Sequence, residues 1–270
     1  MDHGESAGGP FALRWNGWLI FVIAILCICA FIFVQIVLGV FLFFRDHPEI
    51  ITDLQRYGNI SPDLKRQISD PSFTVDFLNA KNLFVLSVLS EATLAIMTFL
   101  LARLMLDARK TALGLGQSPR GDQLLIALSA GAGLFLASSL VGAVTTHLFG
   151  SHPQPQALAL IKHHGALDFV LDFISVAVAA PFAEEIFFRG LVFTALAQRM
   201  MPWLAIMLSA AFFGLAHLEK YSFLAIFAIG IGLALLYYRT RNLWLNIIAH
   251  ATVNTISLVL AYTVPQLVKS

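Results

Sequence analysis

Charge is the first thing this chain lacks. Asp, Glu, Lys and Arg together make up 12% of its 270 residues, against about 25% in a soluble protein. A soluble domain of this size must cover itself with polar surface, and too little is present to do so. The formal net charge is +1, with no basic tail and no acidic block, so nothing points to nucleic acid as a partner. Cysteine is almost missing too. Cys27 and Cys29 sit two residues apart in the first apolar run, where a helix turns them in different directions, so they cannot bond to each other. A cleavable leader is also not expected. The apolar run from Trp18 to Phe44 exceeds the roughly 7–15 apolar residues of a signal peptide and has no small-residue cleavage site, so it reads as a true span or signal anchor. No internal repeat and no low-complexity tract is present.

What the chain has is apolar length. Apolar residues make up 58% of it, and Phe alone contributes 23 residues. About 20 apolar residues cross a bilayer core, which predicts spans over 17–44, 83–106, 123–149, 167–199, 202–218, 222–239 and 243–264. The expected fold is therefore all-α: a polytopic integral membrane protein of seven helices, or eight if the fourth segment crosses differently. That segment is too long for a simple span and contains Pro181, which should kink it or start a fresh helix. Residues 45–82, with Pro48, Pro62 and Pro71, read as a polar connection lying along the surface. Residues 107–121 carry Arg109, Lys110 and Arg120, and 150–166 contain His163 and His164, expected as solvated loop residues. The distribution of Lys and Arg leans towards a cytoplasmic N-terminus. One integrated membrane domain is expected, with an N-terminal region of three spans (1–164) and a C-terminal helical core (165–265).

Ionisable side chains inside spans are costly and by default mark function. Glu91 lies in the second span and Asp168 and Asp172 at the start of the fourth; the first reads as an interhelical bond or cavity-lining group, the others as interfacial. The remaining ones fall into three clusters: Pro181-Phe-Ala-Glu184-Glu185-Ile-Phe-Phe-Arg189-Gly190, Phe213-Gly-Leu-Ala-His217 and His250-Ala-Thr-Val-Asn254. Glu185 and Arg189 are four residues apart with the acid first, the better orientation for a pair. Adjacent glutamates diverge by about 100° on a helix, which leaves Glu184 free for chemistry. His250 and Asn254 share one helix face. Measured from the turns at 199–202 and 240–242, the helical rise puts Glu184 and His217 at roughly 22 Å depth, with His250 and Asn254 at about 12 and 18 Å. All four can share one slab of the membrane.

A partly desolvated carboxylate is a usable general base, and a histidine and an amide are suitable donors to an oxyanion. Glu184 and His217 activating water, with His250 and Asn254 stabilising the tetrahedral intermediate, form a complete hydrolytic site suited to peptide bonds. No His-Glu-x-x-His pair and no Gly-x-Ser-x-Gly frame is present, and no pair of aspartates lies in the cores of two facing spans.

In order and spacing, Glu184-Glu185-x-x-x-Arg189, Phe213-x-x-x-His217 and His250-x-x-x-Asn254 resemble the motif set of the CPBP family, the CAAX prenyl-endopeptidase-like and bacteriocin-processing proteins also called Abi. The resemblance covers roughly 165–265. It implies an intramembrane endopeptidase in which Glu184 and His217 activate water, His250 and Asn254 form the oxyanion hole, and Glu185 and Arg189 support them. The implied partners are a peptide or protein substrate at the membrane and the lipid bilayer. No cofactor is favoured; zinc is the alternative, held by Glu184, His217 and His250 with an open fourth position. Neither the class of substrate nor the oligomeric state is specified. Two other readings stand beside the protease: a proton- or ion-coupled transporter using the buried glutamates and histidines as a relay, and a non-catalytic membrane protein of the bacteriocin-immunity type.

Overall fold

The computed structural model describes residues 16–106, 113–162 and 165–264. Arg109, Lys110, His163 and His164 lie outside the described residues. Helix α1 (Gly17–Asp46) starts where the Asn16 side chain accepts the Trp18 N–H and ends with Arg45 in its last turn, both favourable for the helix termini. The polar 45–82 connection is not irregular, because it folds into three short helices: α2 (Pro48–Tyr57), α3 (Pro62–Ile68) and α4 (Pro71–Phe77). Pro48, Pro62 and Pro71 each occupy the first helical turn, where the missing N–H costs nothing. Helix α5 (Ala80–Met105) follows, capped by Asn79, then α6 (Gly121–Phe149) and the short α7 (Pro155–Lys162).

Helix α8 runs through Ala166–Ala197 without a break. It reaches that length because two of its stretches, Phe173–Ala179 and Ile186–Phe193, are π-helical. A π turn holds more residues than an α turn, so it absorbs the excess that made this segment too long for a simple span. Pro181 lies in the first turn of the α-helical stretch Ala180–Glu185 that follows the first π stretch, so it opens a fresh α register inside one continuous helix. Helices α9 (Pro202–Ala216), α10 (Phe223–Thr240) and α11 (Leu243–Thr263) complete the chain.

Six of these helices are long and apolar enough to cross a membrane, and α9 is a shorter apolar helix. The protein is an integral, multi-pass, all-helical membrane protein. The expected fifth span is the short α9, and among the described residues no eighth apolar helix is found.

The helices assemble around α8. Helix α5 packs on α1 and on successive parts of α8, while α11 packs on α6 and on the first π stretch. Polar clasps tie one end of the bundle together. Asn82 bonds both Arg45 and Asp46, joining α5 to α1, and Lys162 pairs with Asp76. Nearby, Asp172 is buried in the protein. It is 1% exposed and accepts from the Tyr262 hydroxyl at 2.7 Å. Cys27 is buried against Thr98 and Cys29 is exposed, the divergence their spacing implies. The core round the site is aromatic: Phe187, Phe188, Phe193 and Phe213 are all buried.

Candidate active site

The site forms where the middle of α8 meets α9, α10 and α11. Glu185 is its hub and is completely buried. Its Oε1 accepts from Arg189 Nη1 at 2.7 Å and from His250 Nδ1 at 2.9 Å, and its Oε2 accepts from Asn246 Nδ2 at 3.3 Å. A charge out of water survives only when its lone pairs are satisfied and a counter-charge is close, and these three donors meet that demand. Arg189, 0% exposed, also reaches the Gly230 carbonyl on α10. Gly230 suits the close packing there, because a Cβ would stand 3.0 Å from the Ala210 Cα.

Phe213 explains why the second cluster begins with an aromatic residue. The Arg189 guanidinium lies 4.4 Å from the centre of its ring, a cation–π contact. The same ring stacks edge-on against His217 at 4.8 Å and against His250 at 5.7 Å. One buried phenyl group thus spaces the two histidines and covers the arginine.

Glu184 points away from this hub. Its side chain is 16% exposed and its Oε2 makes no hydrogen bond. His250 Nε2 lies 4.0 Å from that oxygen. Since a carboxylate can only accept, the 2.9 Å contact to Glu185 makes His250 Nδ1 a donor, which turns Nε2 towards Glu184. His217 follows the same logic. Its Nδ1 donates to the Phe213 carbonyl at 2.8 Å, leaving Nε2 as the free nitrogen.

The structure brings Glu184, Glu185, Arg189 and His250 together directly. His217 is on the exposed end of α9, across the Phe213 ring from His250, and no ion pair within 4.0 Å joins it to Glu184 among the described residues. Asn254 is one turn beyond His250 on α11, and its Nδ2 donates to the Val176 carbonyl at 2.8 Å. Two residues were not singled out as site members from the sequence. Asn246 is fully buried and also donates to the Leu233 carbonyl at 2.7 Å; its signal was the repeat Asn246, His250, Asn254 every four residues along α11. Glu91 on α5 is 7% exposed, its Oε2 has no hydrogen-bond partner, and Glu184 is the charged group whose field reaches it. It neither bonds a neighbouring helix through that oxygen nor sits apart from the site.

The ligand set of a zinc site is not assembled. Zinc needs its donors about 2.0–2.2 Å from one point, whereas His217 stands apart from the Glu184–His250 pair. Among the described residues no three His, Cys, Asp or Glu side chains converge as a metal-holding group.

Comparison with known proteins agrees with the motif set. The family described as Type II CAAX prenyl endopeptidase Rce1-like matches residues 166–256, an interval that contains every residue of the hub. The chain is also 30% identical over 128 residues to "Putative membrane peptidase YdiL" of Bacillus subtilis (strain 168), covering 46% of this chain and 52% of that protein. The chain thus spans about half the length of the curated relative it matches. No solved structure matches. Over residues 166–256 the chain is thus similar to the CAAX protease family.

Proposed function

We propose that this protein is an intramembrane endopeptidase that hydrolyses a peptide bond in a membrane-associated protein or peptide, of the kind that the name CAAX prenyl endopeptidase describes. The observation that carries this reading is the pairing of one unengaged carboxylate, Glu184, with a histidine whose far nitrogen is clamped. A triad works because a buried acid fixes the tautomer and orientation of an imidazole. Here Glu185, itself held by Arg189, does that for His250.

In the proposed reaction, Glu184 takes a proton from water as its oxygen attacks the carbonyl carbon. His217 Nε2 accepts the water's other hydrogen bond and aligns it. His250 donates from Nε2 to the oxyanion, which requires it to carry both ring protons, and the Glu185 carboxylate stabilises that cation. As the C–N bond breaks, the proton held by Glu184 passes to the leaving amine. Each step uses a side chain of this chain, and no metal enters. A free carboxylate and a clamped imidazole set in an apolar bundle suit the carbonyl of a peptide bond presented from the membrane.

The test is cleavage of a fluorogenic peptide panel, some members carrying a farnesyl-cysteine tail, by purified protein in detergent. Glu184→Gln is expected to reduce kcat by about 10²–10⁴-fold, the usual contribution of a general base, with thermal stability unchanged. A strong zinc chelator should leave wild-type cleavage intact. Full activity in Glu184→Gln would refute the mechanism, and loss with the chelator would move Glu184 and His250 to metal ligation.

A further inference from the structure

The bond from Asn254 to Val176 sits at a gap in the backbone ladder of α8. In the first π stretch each N–H reaches five residues back, and Ala180 N–H accordingly donates to Ser175 O. The next donor in that register is residue 181, whose partner would be Val176 O. Residue 181 is proline and has no N–H. In an α register Val176 O would take the Ala180 N–H instead, but that donor is committed to Ser175. With Pro181 in place, Val176 O has no backbone donor in that register, and an unpaired carbonyl costs free energy in a water-poor interior. The side chain that reaches it is Asn254 Nδ2, 2.8 Å away on α11. Because a carbonyl only accepts, the amide must turn its nitrogen to α8, which fixes the orientation of Asn254.

We propose that Asn254 is a positioning residue: its amide replaces the N–H that Pro181 removes, and so pins the π turn of α8 to α11. The contact lies five residues before Pro181 and eight before Glu184 on one helix, and four residues after His250 on the other. It joins the same two helices as the Glu185–His250 bond, one turn further along α11, on the far side of the point where Glu184 Oε2 and His250 Nε2 stand 4.0 Å apart. A helix that can slide between α and π registers shifts every later side chain in rotation and height. Fixing the register fixes the angle at which Glu184 leaves the helix. This assignment differs from the oxyanion role that the resemblance implies for Asn254, and its catalytic consequence rests on the peptidase reading above.

The test is a double-mutant cycle between Asn254→Ala and Pro181→Ala, read by thermal unfolding in detergent and by peptide cleavage. Alanine at 181 restores a backbone N–H, which satisfies Val176 O in the π register and frees the helix to satisfy it in the α register. Asn254→Ala alone should lower the melting temperature by several degrees and reduce kcat by about tenfold or more, as expected for a small misplacement of reacting groups. Adding Pro181→Ala should recover most of the melting temperature and bring kcat to within about threefold of Pro181→Ala alone, a non-additivity of the kind coupled sites show. Pro181→Ser restores the same N–H and serves if the alanine variant does not fold. Additive effects on stability would overturn the proposal. So would a rescue of stability with kcat still depressed about 10²-fold, since that is the signature of a lost oxyanion donor. Glu184→Gln is run alongside: if it cleaves normally the peptidase reading fails, while the stability cycle still judges the clamp.

Discussion

Arg189→Met should be the most damaging single substitution in the site, and its size can be worked out from the hub. The change keeps a long unbranched side chain but removes the charge that faces Glu185 at 2.7 Å, with both side chains 0% exposed. Breaking a buried ion pair by removing one partner costs about 3–5 kcal/mol. Loss of the cation–π contact to Phe213, 4.4 Å from the guanidinium, adds about 0.5–2 kcal/mol. For a chain of this length, each kcal/mol moves the melting temperature by about 2–4 °C, so a fall of about 10–20 °C is expected. The second half of the experiment separates charge from packing. In the double variant Glu185→Gln/Arg189→Met the stranded carboxylate is gone, yet the amide oxygen introduced at position 185 still accepts from His250. The double variant should therefore recover to within about 1–2 kcal/mol of wild type. The assay is thermal or SDS unfolding in a fixed detergent at two salt concentrations, and both single and double effects should be insensitive to salt because the pair is fully buried. Strictly additive destabilisation, within about 0.5 kcal/mol, would refute the claim that Glu185 and Arg189 act as one unit.

Three further outcomes follow from single residues. Asn246→Ala leaves Glu185 Oε2 and the Leu233 carbonyl one donor short and should cost about 1–3 kcal/mol; Asn246→Asp, which sets a second carboxylate against Glu185, should cost more, and the reverse order in an unfolding assay would discredit the hub. Leu218 follows His217 with a φ of 56° and is 91% exposed, so Leu218→Gly should stabilise the end of α9 by about 1 kcal/mol, and a lower melting temperature would mean that the leucine makes a contact of its own. Glu91→Gln replaces a buried carboxyl whose Oε2 has no hydrogen-bond partner with a neutral amide and should raise stability by about 1 kcal/mol or more; a drop would show that the carboxyl is anchored.

Much of the site was legible because its pattern is local. The four-residue spacings of Glu185–Arg189 and His250–Asn254 need nothing but helical geometry, and the i, i+4 pair is realised as an ion pair. The divergence of Glu184 from Glu185 is likewise a property of one helix. Relations between helices were not legible in the same way. The sequence pairs Glu184 with His217 by depth alone, but depth says nothing about azimuth, and Phe213 stands between the histidines. The partner of Asp172 was not legible either, because Tyr262, whose hydroxyl donates to its carboxylate, lies ninety residues away. The short helices within 45–82 were not legible, because a proline suits a break as well as a first helical turn.

The sequence by itself determined the solvent and the class of fold. With so few charges and apolar runs of membrane length, only helices that satisfy their own backbone could form, and buried charge had to gather where partners exist. What only the tertiary structure decided was which donor meets which acceptor across helices. The two π stretches of α8, the capture of His250 by Glu185, the approach of Glu91 and the bond from Asn254 to the carbonyl that Pro181 orphans all depend on how α5, α10 and α11 rotate against α8. That rotation is set by side-chain packing summed over the whole bundle, to which no single motif holds the key.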